Sequence, residues 1–292
     1  MQTPGRQRPP AGSLYLDHVS HFVPDLGATA RVLEALGFAV TGESAQVSQD
    51  GPAGTSNRCV MLEEGYLEFL APTADTPSAQ RLRAAMQRYA GVHLACFGTP
   101  AAEEERARLE AHGFEPQPLV ELERRTQEGL ARFRVVRAAP EAMPEGRVQF
   151  VQHLAPGVIW HRRWMGHANG VRKLACVFVV ADDPVAAAAR WARFGALLPA
   201  PAGRYVRLRS DRGSVLIGRP QEWQALLGEE APAPPALAGY ALECRDPDAL
   251  AARVAAAGAA TRRLRRNLYA ASLPPALGSA WVFGTRTSLA LG

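Results

Sequence analysis

The chain repeats itself. Gly91-Val92-His93-Leu94-Ala95-Cys96 is echoed by Gly170-Val171-Arg172-Lys173-Leu174-Ala175-Cys176, with one residue inserted. Each segment opens the same succession of signals: an alternating apolar stretch, a helical run that stops at a glycine, then further alternating stretches. A strand–helix–strands unit of this size cannot bury its apolar face alone, so copies must pair and share cores. The pattern is βαβββ, and four copies fit into the 292 residues.

Copy one opens with a strand over Leu14 to Val23 and continues with a helix over Ala28 to Leu36, stopped by Gly37. Strands follow at about Ala39–Glu43, Arg58–Glu63 and Tyr66–Leu70, the last two joined by a tight turn at Glu64-Gly65. Copy two has a strand at Val92–Phe97, a helix carrying Glu103-Glu104-Glu105-Arg106, and strands near Leu119–Arg124, Arg132–Arg137 and Arg147–His153. The acidic run suits a helix N-terminus and reads as a solvated face. Copy three places a helix at Pro184–Phe194 and strands at Tyr205–Ser210 and Ser214–Gly218. Copy four starts at Gly239, has a helix over Pro247–Ala257 and ends with strands at Arg262–Ala270 and Ser279–Gly284. Pro-rich Ala231-Pro232-Ala233-Pro234-Pro235 reads as a linker between these last two copies. The expected architecture is α+β, with a leader over residues 1–13, an N-terminal pair of copies over 14–163 and a C-terminal pair over 164–292.

Hydrophobic residues make up 47% of the chain and charged residues 21%, a balance that supports packed cores and excludes compositional disorder. Cys59, Cys96, Cys176 and Cys244 are widely spaced with no CxxC pair, so buried reduced thiols are expected. The stretch Met1 to Pro10 is polar and Pro-rich without the apolar centre of a signal peptide, and no run approaches the ~18 apolar residues that span a bilayer. A cytoplasmic protein with a disordered leader is the expectation. The one dense basic run, Arg262-Arg263-Leu264-Arg265-Arg266, lacks interleaved aromatics and reads as an edge strand protected by charge. Neither a nucleic-acid nor a membrane partner is expected. No GxGxxG, Walker or GxSxG motif points to a nucleotide cofactor or a hydrolase nucleophile.

Four positions carry the chemistry. His18 and His93 lie in the first strands of copies one and two, and Glu68 and Gln152 each stand three residues before an Ala-Pro pair. Two imidazoles, a carboxylate and an amide at matching strand positions are the donors a divalent metal would use, with Fe(II), Mn, Ni, Co and Zn all compatible. Period-2 geometry puts His18 and Ser20 on one strand face and His21 on the other. The shared Ala-Pro register turns Gln152 inward with Glu68 and His153 outward; a one-residue slip would reverse that pair, so His153 is held as a reserve ligand. Asn57 and Arg58 could orient a substrate carbonyl or carboxylate.

This arrangement resembles the vicinal oxygen chelate superfamily of glyoxalases, extradiol dioxygenases and bleomycin-resistance proteins. The resemblance rests on the tandem βαβββ order, on Gly54-Thr55-Ser56-Asn57-Arg58 with Tyr66-Leu67-Glu68, and on Val158-Ile159-Trp160 leading to Trp164, His167 and Asn169-Gly170. It implies cupped sheets and a metal held by first and last strands of each copy, hence by His18, Glu68 and His93 with Gln152 beside them. An amide at Gln152 cannot serve as the proton-transfer base that glyoxalase I-like chemistry uses there. Lys173 and Leu216 occupy the corresponding places in the C-terminal pair and supply no ligand. The leading expectation is a metal-dependent lyase, isomerase or dioxygenase acting on a small substrate through vicinal oxygens. The alternative is a metal-free protein that binds or sequesters a small molecule. Homodimerisation is compatible with either.

Overall fold

The computed structural model describes residues 7–274 and 277–291. The first half supplies β1 (Tyr15–Phe22), α1 (Leu26–Ala35), β2 (Ser44–Ser48), β3 (Gly51–Met61), β4 (Tyr66–Pro72), α2 (Pro77–Arg88), β5 (Gly91–Gly98), α3 (Ala102–Ala111), β6 (Val120–Thr126), β7 (Gly129–Arg137) and β8 (Arg147–His153). A connection with a short helix α4 (Pro156–Ile159) leads to β9 (Val171–Val180), α5 (Pro184–Gly195), β10 (Leu198–Ala202), β11 (Tyr205–Arg209) and β12 (Ser214–Gly218). The chain ends with α6 (Pro220–Leu227), β13 (Ala236–Cys244), α7 (Pro247–Ala256), β14 (Thr261–Arg265), β15 (Leu268–Ser272) and β16 (Ala280–Gly284). Capping follows the sequence signals: Asp25, Thr76, Asp183 and Asp246 each accept a backbone N–H in the first turn of the helix they precede.

The N-terminal sheet closes into a barrel in the order β1-β4-β3-β2-β6-β7-β8-β5. Closure corrects the expected open cup, and its cause is local. β2 forms at residues 44–48, later than expected, and pairs with both β3 and β6, with Val47 opposite Glu123 and Ser48 opposite Leu122. That bridge removes the free edges each copy would otherwise present. The second sheet stays open, in the order β10-β11-β12-β9-β13-β16-β15-β14. Its edges resist pairing with another strand: β10 contains Pro199 and Pro201, and β14 carries the arginine run. The expected single strand over Arg262–Ala270 is two strands, because Asn267 takes φ 57° and turns β14 into β15. Helices α2 and α6 and strand β10 carried no sequence expectation.

The two sheets share one core. Val19, Phe69, Val92 and Phe97 on the outer face of the barrel belong to the same buried cluster as Val177, Val179, Tyr240, Leu242 and Trp281 of the open sheet. Polar groups in this seam are paired. Trp281 Nε1 donates to Tyr240 Oη, Tyr240 donates to His21 Nε2 (2.9 Å), and His21 Nδ1 donates to the Leu277 carbonyl (2.8 Å). The β3–β4 turn docks on the start of β9: Leu174 N donates to Glu64 O (3.0 Å), Arg172 forks onto the Glu63 carboxylate (2.9 and 2.5 Å) and Lys173 Nζ sits 3.2 Å from Glu64. Gly65 turns at φ 78° there, and a Cβ would stand 2.9 Å from the Asp17 carbonyl. Residues 1–6 of the expected leader lie outside the described residues. From Gln7 the chain packs, with a buried side chain donating to Glu63 O (2.9 Å). Among the described residues no helix is long and apolar enough to cross a membrane.

Burial holds the His21 imidazole down to about 4 from its ordinary 6.5. The unfolded chain therefore binds the proton first: this contribution is complete above about pH 6.5 and is lost as pH falls towards 4, amounting to about 3 kcal/mol. His93, also held to about 4 by burial, acts with the same sign. Urea unfolding between pH 7 and 4.5 should show stability falling with pH, with a shallower slope in His21→Gln. An unchanged slope in that variant would mean that His21 does not titrate as a buried neutral ring.

Candidate functional site

β1 feeds the barrel interior and the seam alternately. His18, Ser20 and Phe22 face in, while Val19, His21 and Val23 face the open sheet. β4 runs parallel to β1 with Glu68 in register with Ser20, so the Glu68 carboxylate enters the same space. Its Oε2 accepts from Ser20 Oγ (2.5 Å); its Oε1 accepts from Asn57 Nδ2 (2.5 Å) and Gln46 Nε2 (3.5 Å). His18 Nε2 lies 3.8 Å from Glu68 Oε2, and its ring stacks on Tyr66 with centroids 4.3 Å apart. The other ring nitrogen, Nδ1, meets Asp17 Oδ1 at 2.7 Å, and His153 Nε2 meets both oxygens of the same carboxylate at 3.1 Å.

This is a chain of alternating charge in a closed space. Burial opposes ionisation of Asp17, but His153 and His18 beside it hold its carboxyl well below the usual range. Burial likewise opposes the Glu68 charge, and His18 and the Ser20 hydroxyl more than offset it. Burial opposes protonation of His18, yet Cys96 and Asp17 hold the ring well above its ordinary value. Glu68 is thus an ionised, fully solvated-by-protein carboxylate, a poor base with good hydrogen-bonding capacity.

The structure brings His18, Glu68 and Asn57 together and leaves the other expected residues elsewhere. β1 and β5 are antiparallel, and their register sets Cys96 opposite His18. His93 lies three residues further along, about 10 Å away at ~3.3 Å per residue. There its ring is stacked between Tyr89 (4.1 Å) and Phe22 (5.1 Å), with Nε2 against the Tyr89 carbonyl (2.9 Å). Gln152 points out of the barrel and ties down the start of α3, donating to Pro100 O (2.7 Å) and accepting from Ala102 N (3.4 Å). His153 points in. The expected orientation of this pair is therefore reversed, and the ladders give the reason. His18 pairs with Tyr66 in the first copy and Leu94 pairs with Arg147 in the second. The residue equivalent to Glu68 is then Gln149, not Gln152, and the one equivalent to His18 is Leu94. Ala71-Pro72 ends β4, whereas Ala155-Pro156 lies beyond the end of β8, so the two Ala-Pro pairs are not in structural register. Arg58 also faces outward, towards Thr41 O (3.3 Å) and Glu43 (3.9 Å).

A cavity of about 50 Å³ is bounded by His18, Glu68, Leu94, Arg124, Arg147 and Gln149, among other interior side chains. Tested against a divalent metal, its donor set falls short. Two donors converge, the position related to His18 is the apolar Leu94, and the Gln149 amide already accepts from Arg137 Nε (3.0 Å). Among the described residues no group of three or more His, Cys, Asp or Glu side chains is placed to hold a metal. What sequence reasoning missed is the basic and amide lining: Gln46, Arg124, Arg137, Arg147 and Gln149. The alternation Arg147, Gln149, Val151, His153 along β8 was the available signal.

Asp17 serves two imidazoles at once, and an amide in its place can accept from them but cannot balance a protonated ring. Asp17→Asn is expected to destabilise the fold by about 3 kcal/mol, as loss of one member of a buried ion pair does, and to lower the His18 pKa. Urea unfolding and imidazole NMR titration check both; a loss under ~1 kcal/mol would mean the pairing is not structural.

No curated protein matches the sequence. Solved structures match by fold: a hypothetical protein from Staphylococcus aureus at 12% identity (93% of this chain, 99% of that one, TM-score 0.65). The Mn(II)-bound glyoxalase from Novosphingobium aromaticivorans matches at 12% identity (94% and 83%, TM-score 0.57), and a variant of 4-hydroxymandelate synthase from Streptomyces coelicolor at 14% (94% and 94%, TM-score 0.55). Likeness at these identities is likeness of fold. The model of the glyoxalase-like domain family matches residues 16–195, more than half of the chain, and the chain belongs to that family.

Proposed function

We propose that the barrel of this glyoxalase-like protein binds a small organic molecule and does so without a resident divalent metal. The observation that carries this reading is the donor set. His18 and Glu68 face the interior, but their counterparts in the second copy are Leu94 and an amide that Arg137 already engages. Glu68 is held by Ser20 and Asn57, and His18 by Asp17, so the polar groups that remain for a ligand are the arginines of the lining. The wall around them is apolar and aromatic, with Tyr66, Leu70, Leu94, Phe133 and Val135, as small-molecule sites are. Asn57 and Gln46 act in this reading by fixing the Glu68 carboxylate, not by touching the substrate.

A second reading is favoured by one distance. His18 Nε2 and Glu68 Oε2 stand 3.8 Å apart inside the barrel, and one structural neighbour is described as an Mn(II)-bound glyoxalase. In that reading His18 and Glu68 are two ligands of a metal enzyme of lyase, isomerase or dioxygenase type.

Elemental analysis decides between them. Protein without a histidine tag, reconstituted anaerobically in turn with Fe(II), Mn(II), Ni(II), Co(II) and Zn(II) and then desalted, is expected to retain well under one equivalent of each. Retention of one equivalent by the wild type, lost in both His18→Ala and Glu68→Ala, would overturn the metal-free reading and establish the second.

A further inference from the structure

β7 ends at Arg137 and β8 begins at Arg147, so both guanidinium groups stand at the same end of the barrel, the end covered by α2. There they border three spaces, two of them facing each other across the arginines. One is the interior cavity that holds His18 and Glu68; the other is a cavity of about 200 Å³, bounded also by Phe22, Arg81, Arg88 and His93. The two side chains are half-buried, and Arg81 and Arg88 of α2 stand exposed at the rim.

Arg137 and Arg147 lack the carboxylate partners that cations withdrawn from water ordinarily have. Arg137 has a neutral partner, its Nε donating to Gln149 (3.0 Å), and Arg147 lies over the Phe22 ring at 5.5 Å. Arg81 donates to Ser78 Oγ (3.1 Å) and Arg88 to the Pro235 carbonyl (2.9 Å). Among the described residues none of the four has a carboxylate within 4 Å, while elsewhere Arg108, Arg172 and Arg190 all do. Burial and the like charges of Arg137 and Arg81 push the Arg147 guanidinium down to about 9 from its ordinary value. The nearby carboxylate that should relieve them, Glu68, is already saturated by Ser20, Asn57 and Gln46. His93 adds no negative charge. A fold that withdraws two guanidinium groups from water beside one cavity, with two more at its rim, bears a cost that an oxyanion would remove by accepting charge-assisted, forked hydrogen bonds.

Resting on the reading of the barrel as a small-molecule site, we propose that its ligand carries an oxyanion, a carboxylate or phosphate, held by Arg137 and Arg147 at the junction of the two cavities. Arg81 and Arg88 draw the anion in from the rim. The remainder of the ligand lies in the cavity of about 200 Å³, towards Phe22, Ala85 and Met143, so the ligand is an amphipathic organic acid or ester rather than a free inorganic ion.

The test uses the full chain, with benzoate as probe, benzamide as its neutral counterpart of the same shape, phenyl phosphate as the phosphate counterpart, and inorganic phosphate as the ion without an apolar body. Titration calorimetry is expected to show benzoate or phenyl phosphate binding at least about tenfold more tightly than benzamide, and more tightly than inorganic phosphate. Which of the two wins identifies the oxyanion. Arg137→Gln and Arg147→Gln should each weaken that binding about tenfold to a hundredfold, the range for a hydrogen bond between charged groups. Arg163→Gln, at the opposite end of the barrel, should leave it unchanged. Since each Gln variant relieves like-charge repulsion, it should melt no lower than the wild type without ligand, which separates lost binding from lost folding. Benzamide binding as tightly as the anions would overturn the oxyanion assignment while leaving the barrel site standing. Undiminished binding in an Arg137→Gln, Arg147→Gln double variant, or no binding of any anion, would overturn it as well. Metal content, read separately, reports on the metal-free reading alone.

Discussion

Everything in this molecule leans on the seam where β1 and β5 of the barrel meet β9 and β13 of the open sheet. β1 serves both sides of that seam: one face carries His18, Ser20 and Phe22 into the barrel, and the other carries Val19, His21 and Val23 against the second sheet. The apolar part of the seam supplies the area term that dominates folding. Its polar part is tolerated because the chain Trp281–Tyr240–His21–Leu277 leaves no donor or acceptor of the His21 ring unmatched. A shift of β1 by one residue would exchange the two faces and put His21 in the barrel and His18 in the core. Site and core are therefore specified by the same register.

The barrel interior follows from that constraint. Closure through β2 excludes water from Glu68 and Asp17, and each carboxylate survives ionised only because its neighbours are donors or cations. At the His153 end, between Trp160 and Phe133, the charges are matched: Asp17 serves two imidazoles. Towards α2 the balance tips to positive, with Arg137 and Arg147 facing no carboxylate of their own. The barrel thus runs from paired to unpaired charge along its length, which is what the proposed oxyanion would answer.

Much of this was legible in the residues. The repeat predicted βαβββ copies, and the helical apolar runs with their glycine stops located α1, α5 and α7 to within a few residues. Period-2 reasoning separated His18 and Ser20 from His21, and the structure puts the first two on Glu68 and the third on Tyr240. The expectations for His93 and Gln152 rested on matching one copy to the other by short sequence landmarks. A landmark such as Ala-Pro locates the end of a strand only if both strands end alike, and β4 and β8 do not.

By itself, then, the sequence determined the repeat unit, the α+β class, the helix ends that glycines enforce, and which residues share a strand face, since all of these depend on contacts within a few residues along the chain. Only the tertiary structure decided that the first sheet closes, that Leu94 and Gln149 stand where His93 and Gln152 were expected, and that Arg137 and Arg147 meet at one cavity. Those outcomes depend on the register between strands distant in sequence. Register is chosen by the summed packing of both sheet faces, a quantity that no single strand carries in its own residues.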